Sequence, residues 1–253
     1  MRKLVNTKLF ILVALLSCAM SQLEAKNVYV STSGSTSGEG TDPAYPVDLA
    51  RFLAIFKAHT SAQGATFNAY FEPGTYTLTE TLTLGAAQGG VLFVLDKKAG
   101  TSGNVTVKPA NTAAKNSTGV FRSTVKDKGC NITFRNMIFD GFWGHATSAT
   151  GDDTYRVFGI SHNGNVLTID HVTVRNSTDG YNLFDLRATD TGFHVFISEI
   201  NIYNSSIINN KRASGYAICA AHNGNMRIYN STFSNNMITA TNNPVTYLTY
   251  ADL

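Results

Sequence analysis

An apolar/polar alternation that closes on asparagine is written four times in the second half of this chain, and it constrains the fold more than any other feature. The copies are Asn131–Asp140, Val166–Asn176, Glu199–Asn209 and Asn225–Asn235. Superposed, they place Ile132, Leu167, Ile200 and Met226 in one column and Phe134, Ile169, Ile202 and Ile228 in a second. Asn136, His171, Asn204 and Asn230 make a third column, and Asn176, Asn209 and Asn235 a fourth. The third column recurs every 26 to 35 residues. Strand units at that period imply a solenoid, because one repeat alone cannot bury its apolar face. When turns of successive coils superpose, an asparagine in each tolerates left-handed backbone angles and can bond to the next. His171 reads as a structural replacement in that column.

Composition narrows the class. Only 15% of the 253 residues are charged, with 21 Gly and 5 Pro, which fits one elongated, β-rich extracellular domain. The net charge of +3 is small and dispersed, and no Lys/Arg cluster interleaves with aromatics, which argues against a nucleic-acid partner. The basic stretch Met1–Lys8 and the apolar run Leu9–Leu16 read as a bacterial-type export signal over residues 1–25, too short to span a bilayer. Residues 26–253 are then the mature domain, secreted or at the cell surface, with lipid attachment at Cys18 as the alternative. Cys130 and Cys219 fall on different strands about three coils apart. Coils stack about 4.8 Å apart and a disulfide needs Cα atoms within about 7 Å, so two free, buried thiols are expected.

The first half reads as a strand at Asn27–Ser31, a Ser/Thr/Gly-rich loop from Thr32 to Thr41, and a helix within Val47–Ala58. Leu49, Phe52, Leu53, Ile55 and Phe56 make the helix's apolar stripe, with Asp48 at its start and Lys57 at its end. Strands at Ala65–Phe71 and Tyr76–Leu84 follow, separated by Glu72-Pro-Gly-Thr75. This order resembles the opening of right-handed parallel β-helix proteins of the pectin-lyase-like superfamily, in which a helix caps the first coil. The resemblance covers the mature chain and implies an all-β fold, a right-handed parallel β-helix with an N-terminal capping α-helix. It specifies no activity, since that superfamily holds lyases, hydrolases, esterases and adhesins. The apolar strand Pro244–Leu253 ends without a cap, so truncation at the C-terminus is expected.

A second strand set, Arg156–His162, Tyr181–Arg187 and Tyr216–His222, alternates with the first. Its outer copies continue as one tetrapeptide, His162-Asn-Gly-Asn165 and His222-Asn-Gly-Asn225. Alignment on that tetrapeptide stacks Phe158/Leu183/Ile218, Ile160/Asp185/Ala220 and His162/Arg187/His222, and alternation puts all three columns on the outer face. In polysaccharide lyases of the resembled fold an Arg or Lys takes the proton α to a uronate carboxyl while calcium neutralises that carboxyl. Arg187 beside Asp185 is the pair that could act so, and a surface ion pair is the competing reading. His162, His222, Trp143, Tyr181 and Tyr216 are candidate sugar contacts, since flat rings stack on sugars and keep a polar edge. Trp143 and Phe142 packing a loop, and the tyrosines forming an ordinary ladder, are the structural alternatives. The loop carboxylates Asp152 and Asp153 are the candidate calcium contacts. Neither they nor Asp170 and Asp190 form the column that paired-carboxylate hydrolysis needs. The sequence thus points to a monomeric exported β-helix protein that recognises or processes extracellular polysaccharide or cell-surface glycan. A polysaccharide lyase acting on uronates and a structural adhesin or stalk are the rivals.

Overall fold

The computed structural model describes residues 25–110, 119–125, 128–142, 157–160, 162, 164–178, 182–187, 198–212, 218–222, 224–238 and 246–249. Residues 1–24 of the segment read as an export signal, Trp143, Asp152, Asp153, Tyr181 and Tyr216, together with the side chains of Arg187 and His222, lie outside the described residues.

Three all-parallel sheets form the body. The first holds Lys26–Ser35, Thr66–Phe71, Leu92–Lys97, Asn131–Arg135, Val166–Asp170, Glu199–Tyr203 and Asn225–Tyr229, in that order. The second holds Gly74–Leu78, Val105–Pro109, Met137–Asp140, Thr173–Arg175, Ser206–Ile208 and Thr232–Ser234. The third holds Leu82–Leu84, Phe121–Ser123, Phe158–Ile160, Phe184–Arg187, Cys219–His222 and Thr246–Thr249. The chain visits first, second and third sheet in turn and comes back one strand further along each. That is a parallel β-helix, right-handed as parallel crossovers are. Each asparagine-bearing repeat is therefore two strands on two sheets, with the third-column residue at the corner.

The corners explain the asparagines. Among the described residues, the non-glycine residues with positive φ are Asn136, His171, Asn176, Asn204, Asn209, Asn230 and Asn235, with φ between 49° and 56°. They are the members of the third and fourth sequence columns, and His171 takes the same conformation as its asparagine neighbours. Asparagine is among the few residues that adopt left-handed angles readily. The expectation that stacked amides satisfy one another holds only at one step, where Asn230 Nδ2 donates to Asn204 Oδ1 at 2.8 Å. Asn204 donates instead to Asp170 (2.9 Å) and Asn136 to Asp96 (2.8 Å), because carboxylates occupy the preceding coils. A buried amide pair lies one residue beyond the fourth column. Asn210 Nδ2 reaches Val174 O and Asn236 Oδ1, both at 3.0 Å, and Asn236 Nδ2 reaches Ile207 O at 2.7 Å.

The predicted apolar columns pair in register, Ile132, Leu167, Ile200 and Met226, then Phe134, Ile169, Ile202 and Ile228, and all are buried inside the coils except Ile228, which is exposed. Phe134, Phe139 and Phe158, one from each sheet, meet edge to face with centroids 5.4 to 6.0 Å apart. Phe142 joins them as a fully buried side chain. The helix spans Leu49–Ala58, capped by the Asp48 carboxylate accepting from Arg51 N at 2.7 Å. Its buried Phe52, Leu53, Ile55 and Phe56 cover the first coil, with Phe56 4.9 Å from Phe93. Two boundaries differ from the sequence expectation. The first strand runs on to Ser35 because Ser35 pairs with Val47. The single strand expected over Tyr76–Leu84 breaks into Gly74–Leu78 and Leu82–Leu84, since a coil corner falls between them.

Cys130 and Cys219 are free and buried. Burial pushes the Cys130 thiol up to about 11 against the opposing bond to Ser123, and the Cys219 thiol up to about 12. Both should resist a thiol reagent at pH 8 in the native protein and react on unfolding in urea; labelling of folded protein at either would contradict their placement. A sharper test concerns the corner before the first sheet. There Gly129 has φ of 61°, and a Cβ on it would lie 1.9 Å from Gly164 O of the next coil. Gly129→Ala should lower urea stability by about 2 kcal/mol or more, whereas Asn204→Gly, which keeps the left-handed corner, should change it by under about 1 kcal/mol.

Candidate functional site

The third sheet is where the sequence placed its candidate chemistry, and its register departs from the tetrapeptide alignment. Arg187 does pair with His222 and Asp185 with Ala220. Phe158, however, pairs with Phe184 and Ile160 with Leu186, not with Leu183 and Asp185. One residue more separates Ile160 from His162 than separates Ala221 from His222. Alignment on the tetrapeptide therefore slips this strand by one, and a one-residue slip exchanges the two faces. Phe158 and Ile160 accordingly point inward, Phe158 stacking on Phe184 at 5.0 Å and 12°.

The outward column of this sheet reads Arg122, Gly159, Asp185, Ala220. Asp185 lies between inward Phe184 and Leu186, as the alternation requires, yet it is 0% exposed. Its carboxylate is covered, not displayed on an open groove, and the Arg187 side chain expected beside it lies outside the described residues. His162 is half-buried, and its carbonyl accepts from Asn165 Nδ2 at 2.8 Å and Ser198 Oγ at 2.6 Å. That backbone role knits a corner across two coils. Among the described residues no group of three or more His, Cys, Asp or Glu is placed to hold a metal ion.

The first sheet presents a different surface. Its outward column, followed strand by strand through the register, is Tyr29, Tyr70, Asp96, Arg135, Asp170, Tyr203, Tyr229. Two tyrosines stand at each end and an acid-base-acid group in the middle, one residue per coil. Six steps of about 4.8 Å make the row about 29 Å long. Tyr29 and Tyr70 stack at 5.3 Å and 29°, with Lys98 Nζ 5.8 Å from the Tyr29 centroid. Tyr229 is 72% exposed and Arg135 is exposed, while the other members of the row are half-buried, as residues on an open sheet face are.

The polar middle is braced from the adjacent corner. Asp96 accepts from Asn136, and Asp170 accepts from Asn204 and lies 2.9 Å from His171 Nδ1. Arg135 Nε is 4.0 Å from Asp170. The left-handed corner residues thus have a second use, since they aim their amides at the carboxylates of the row. Further along the same face Arg227 pairs with Glu199, and Tyr203 donates to Asn201 at 3.2 Å. Arg135, Asp170, Tyr203 and Tyr229 each follow the second apolar column of the repeat, so half of this row is readable from the aligned motif. Tyr29, Tyr70 and Asp96 lie in strands that lack the asparagine signature, and only the observed register joins them to it. Asp170, which the sequence left outside any column, stands here two coils from Asp96.

The second sheet carries a charge ladder on its outer face. Asp140 receives Arg175 Nη2 at 3.0 Å and Asn176 Nδ2 at 2.7 Å, with Lys108 Nζ at 3.9 Å. Burial, the largest influence, raises the Asp140 pKa; the hydrogen bonds from Asn176 and Arg175 and the charges of Arg175 and Lys108 together outweigh it and hold the carboxyl below its ordinary value. A depressed pKa gives stability that is present above the unfolded value of about 3.9 and is lost as pH falls through the folded one. Urea stability should therefore drop on acidification below about pH 4, and Asp140→Asn should make that drop smaller; an unchanged acid limb would sink the assignment.

No protein-family model matches the chain, and no curated protein sequence matches it. Two solved structures overlap it. A rhamnogalacturonan lyase does so with 13% identity and a TM-score of 0.46 over 81% of this chain, and the chain spans 56% of that protein's length. The pectate lyase Pel9A does so with 12% identity and a TM-score of 0.30, covering 86% of this chain and 81% of its own. Strand order and register, not these overlaps, carry the fold. Among the described residues no helix is long and apolar enough to cross a membrane.

Proposed function

We propose that this chain is an exported β-helix protein that recognises extracellular polysaccharide on the outward face of its first sheet. The row from Tyr29 to Tyr229 is the observation that supports this reading. It sets aromatic rings at both ends of a straight, open surface with braced hydrogen-bonding groups between them. A sugar presents a C–H face that packs on an aromatic ring and an equatorial rim of hydroxyls that exchange hydrogen bonds with carboxylates, amides and guanidinium groups. A polysaccharide repeats those features along a line, and so does a solenoid face. Export is the reading of the basic stretch and apolar run at the N-terminus, and it would bring the chain to where such polymers are.

The binding reading is favoured over lyase chemistry at the third sheet because the Asp185 carboxylate has no exposed surface. Affinity electrophoresis through gels cast with a panel of polysaccharides tests it. Retardation by at least one polymer is expected, with Tyr70→Ala and Tyr203→Ala each weakening it about tenfold, equivalent to about 1.4 kcal/mol. Retardation that neither variant alters would place recognition on another face. Formation of unsaturated uronate, followed by ultraviolet absorbance and abolished by Arg187→Ala, would replace binding with lyase activity.

A further inference from the structure

The charge distribution on the first-sheet face and the placement of its tyrosines restrict what a polymer bound there can be. On the outward positions of the seven strands the acids are Asp96, Asp170 and Glu199 and the bases are Arg135 and Arg227. Arg227 is taken by Glu199, and Arg135 lies 4.0 Å from Asp170 with Asp96 on its other flank. Lys98, beside Tyr29 at one end, is held by Glu72 at 3.0 Å and by Pro43 O at 3.4 Å. Among the described residues each cation at these strand positions thus lies beside an acid, and the strand positions carry one more acid than base. A polyanion would meet no compensating charge here and would be repelled by Asp96 and Asp170. The second sheet differs, since there two cations, Lys108 and Arg175, share Asp140.

The tyrosines occupy two separate platforms. Tyr70 and Tyr203 are separated by the coils of Asp96, Arg135 and Asp170, which is four steps or about 19 Å along the axis. A short sugar chain reaches one platform only. A chain long enough to cross the polar middle engages both, and the second contact is then made at the high effective concentration that a tethered ligand has.

We propose, resting on the reading above, that the first-sheet row is a two-ended site for an uncharged, extended polysaccharide lying along the solenoid axis, with affinity that steps up when the chain bridges from Tyr70 to Tyr203. Isothermal titration of the whole protein with neutral β-1,4-linked gluco- and xylo-oligosaccharides, from disaccharide to octasaccharide, and with polygalacturonate tests it. The expected result is a rise in affinity of about tenfold or more at the length that spans both platforms, with polygalacturonate binding more weakly than any bridging neutral chain. Tyr70→Ala and Tyr203→Ala should each remove the step, so that the octasaccharide then binds no more tightly than the short chains do. Affinity that grows smoothly with length, absence of binding to every neutral oligosaccharide, or tighter binding of polygalacturonate would overturn the inference. In each of those cases loss of polysaccharide retardation in Tyr70→Ala would still leave glycan recognition by this face standing. Only indifference of both tyrosine variants overturns that as well.

Discussion

Everything in this molecule depends on parallel backbone pairing between one coil and the next. A strand here has no hairpin partner; its donors and acceptors are satisfied only by strands one full circuit away in sequence, as in Val166–Asp170 between Asn131–Arg135 and Glu199–Tyr203. Pairing of that kind needs the corner between first and second sheet to bring the chain back at the same level in every coil, while the remaining connections vary in length, as the 26 to 35 residue spacing shows. The left-handed residues at the corners supply the repetition. Asn136, His171, Asn204 and Asn230 turn the chain from first sheet to second at nearly one φ value, 50° to 53° with Asn204 at 49°. Gly129, which leads into the first sheet, does the same where even a Cβ has no room against Gly164.

In-register stacking converts sequence columns into straight rows of side chains. Inside, this makes a continuous core of Phe, Ile and Leu, closed at one end by the helix Leu49–Ala58, whose aromatic face replaces the coil that would otherwise precede it. Outside, it makes rows whose members are about 4.8 Å apart, close enough for charges and rings in neighbouring coils to interact. Asp140 with Arg175 and Lys108, and Asp96 with Arg135 and Asp170, are two outcomes of that geometry on two sheets. The corner asparagines serve both purposes at once, setting the backbone and donating to the carboxylates of the adjoining rows.

The same geometry gives the faces different surfaces. The outward column of the third sheet runs from exposed Thr83 and half-buried Arg122 to buried Gly159, Asp185 and Ala220. The first sheet leaves its outward column open from Tyr29 to Tyr229. The proposed occupant, a linear polymer, repeats along one axis as the row does, and the row's paired charges are the basis for proposing hydroxyls over carboxylates as its partners.

The sequence alone determined the strand repeat and the helix, because these follow from local rules, while the parallel β-helix and the helix's place as its cap came from the resemblance those elements carry. Left-handed angles select asparagine, alternation selects strands, and an i, i+3, i+4 stripe with Asp48 before it selects a helix. It also announced the buried thiols of Cys130 and Cys219. Which residues share a row was legible only where the asparagine motif supplied an anchor, as it did for Arg135, Asp170, Tyr203 and Tyr229. The tertiary structure alone decided that Ile160 pairs with Leu186, that Asp185 is covered, and that Tyr29, Tyr70 and Asp96 complete the row begun by Arg135. The reason is physical: pairing between coils joins residues about thirty positions apart in sequence, and one extra residue in a corner exchanges the inner and outer faces of a strand without leaving any mark on its alternation.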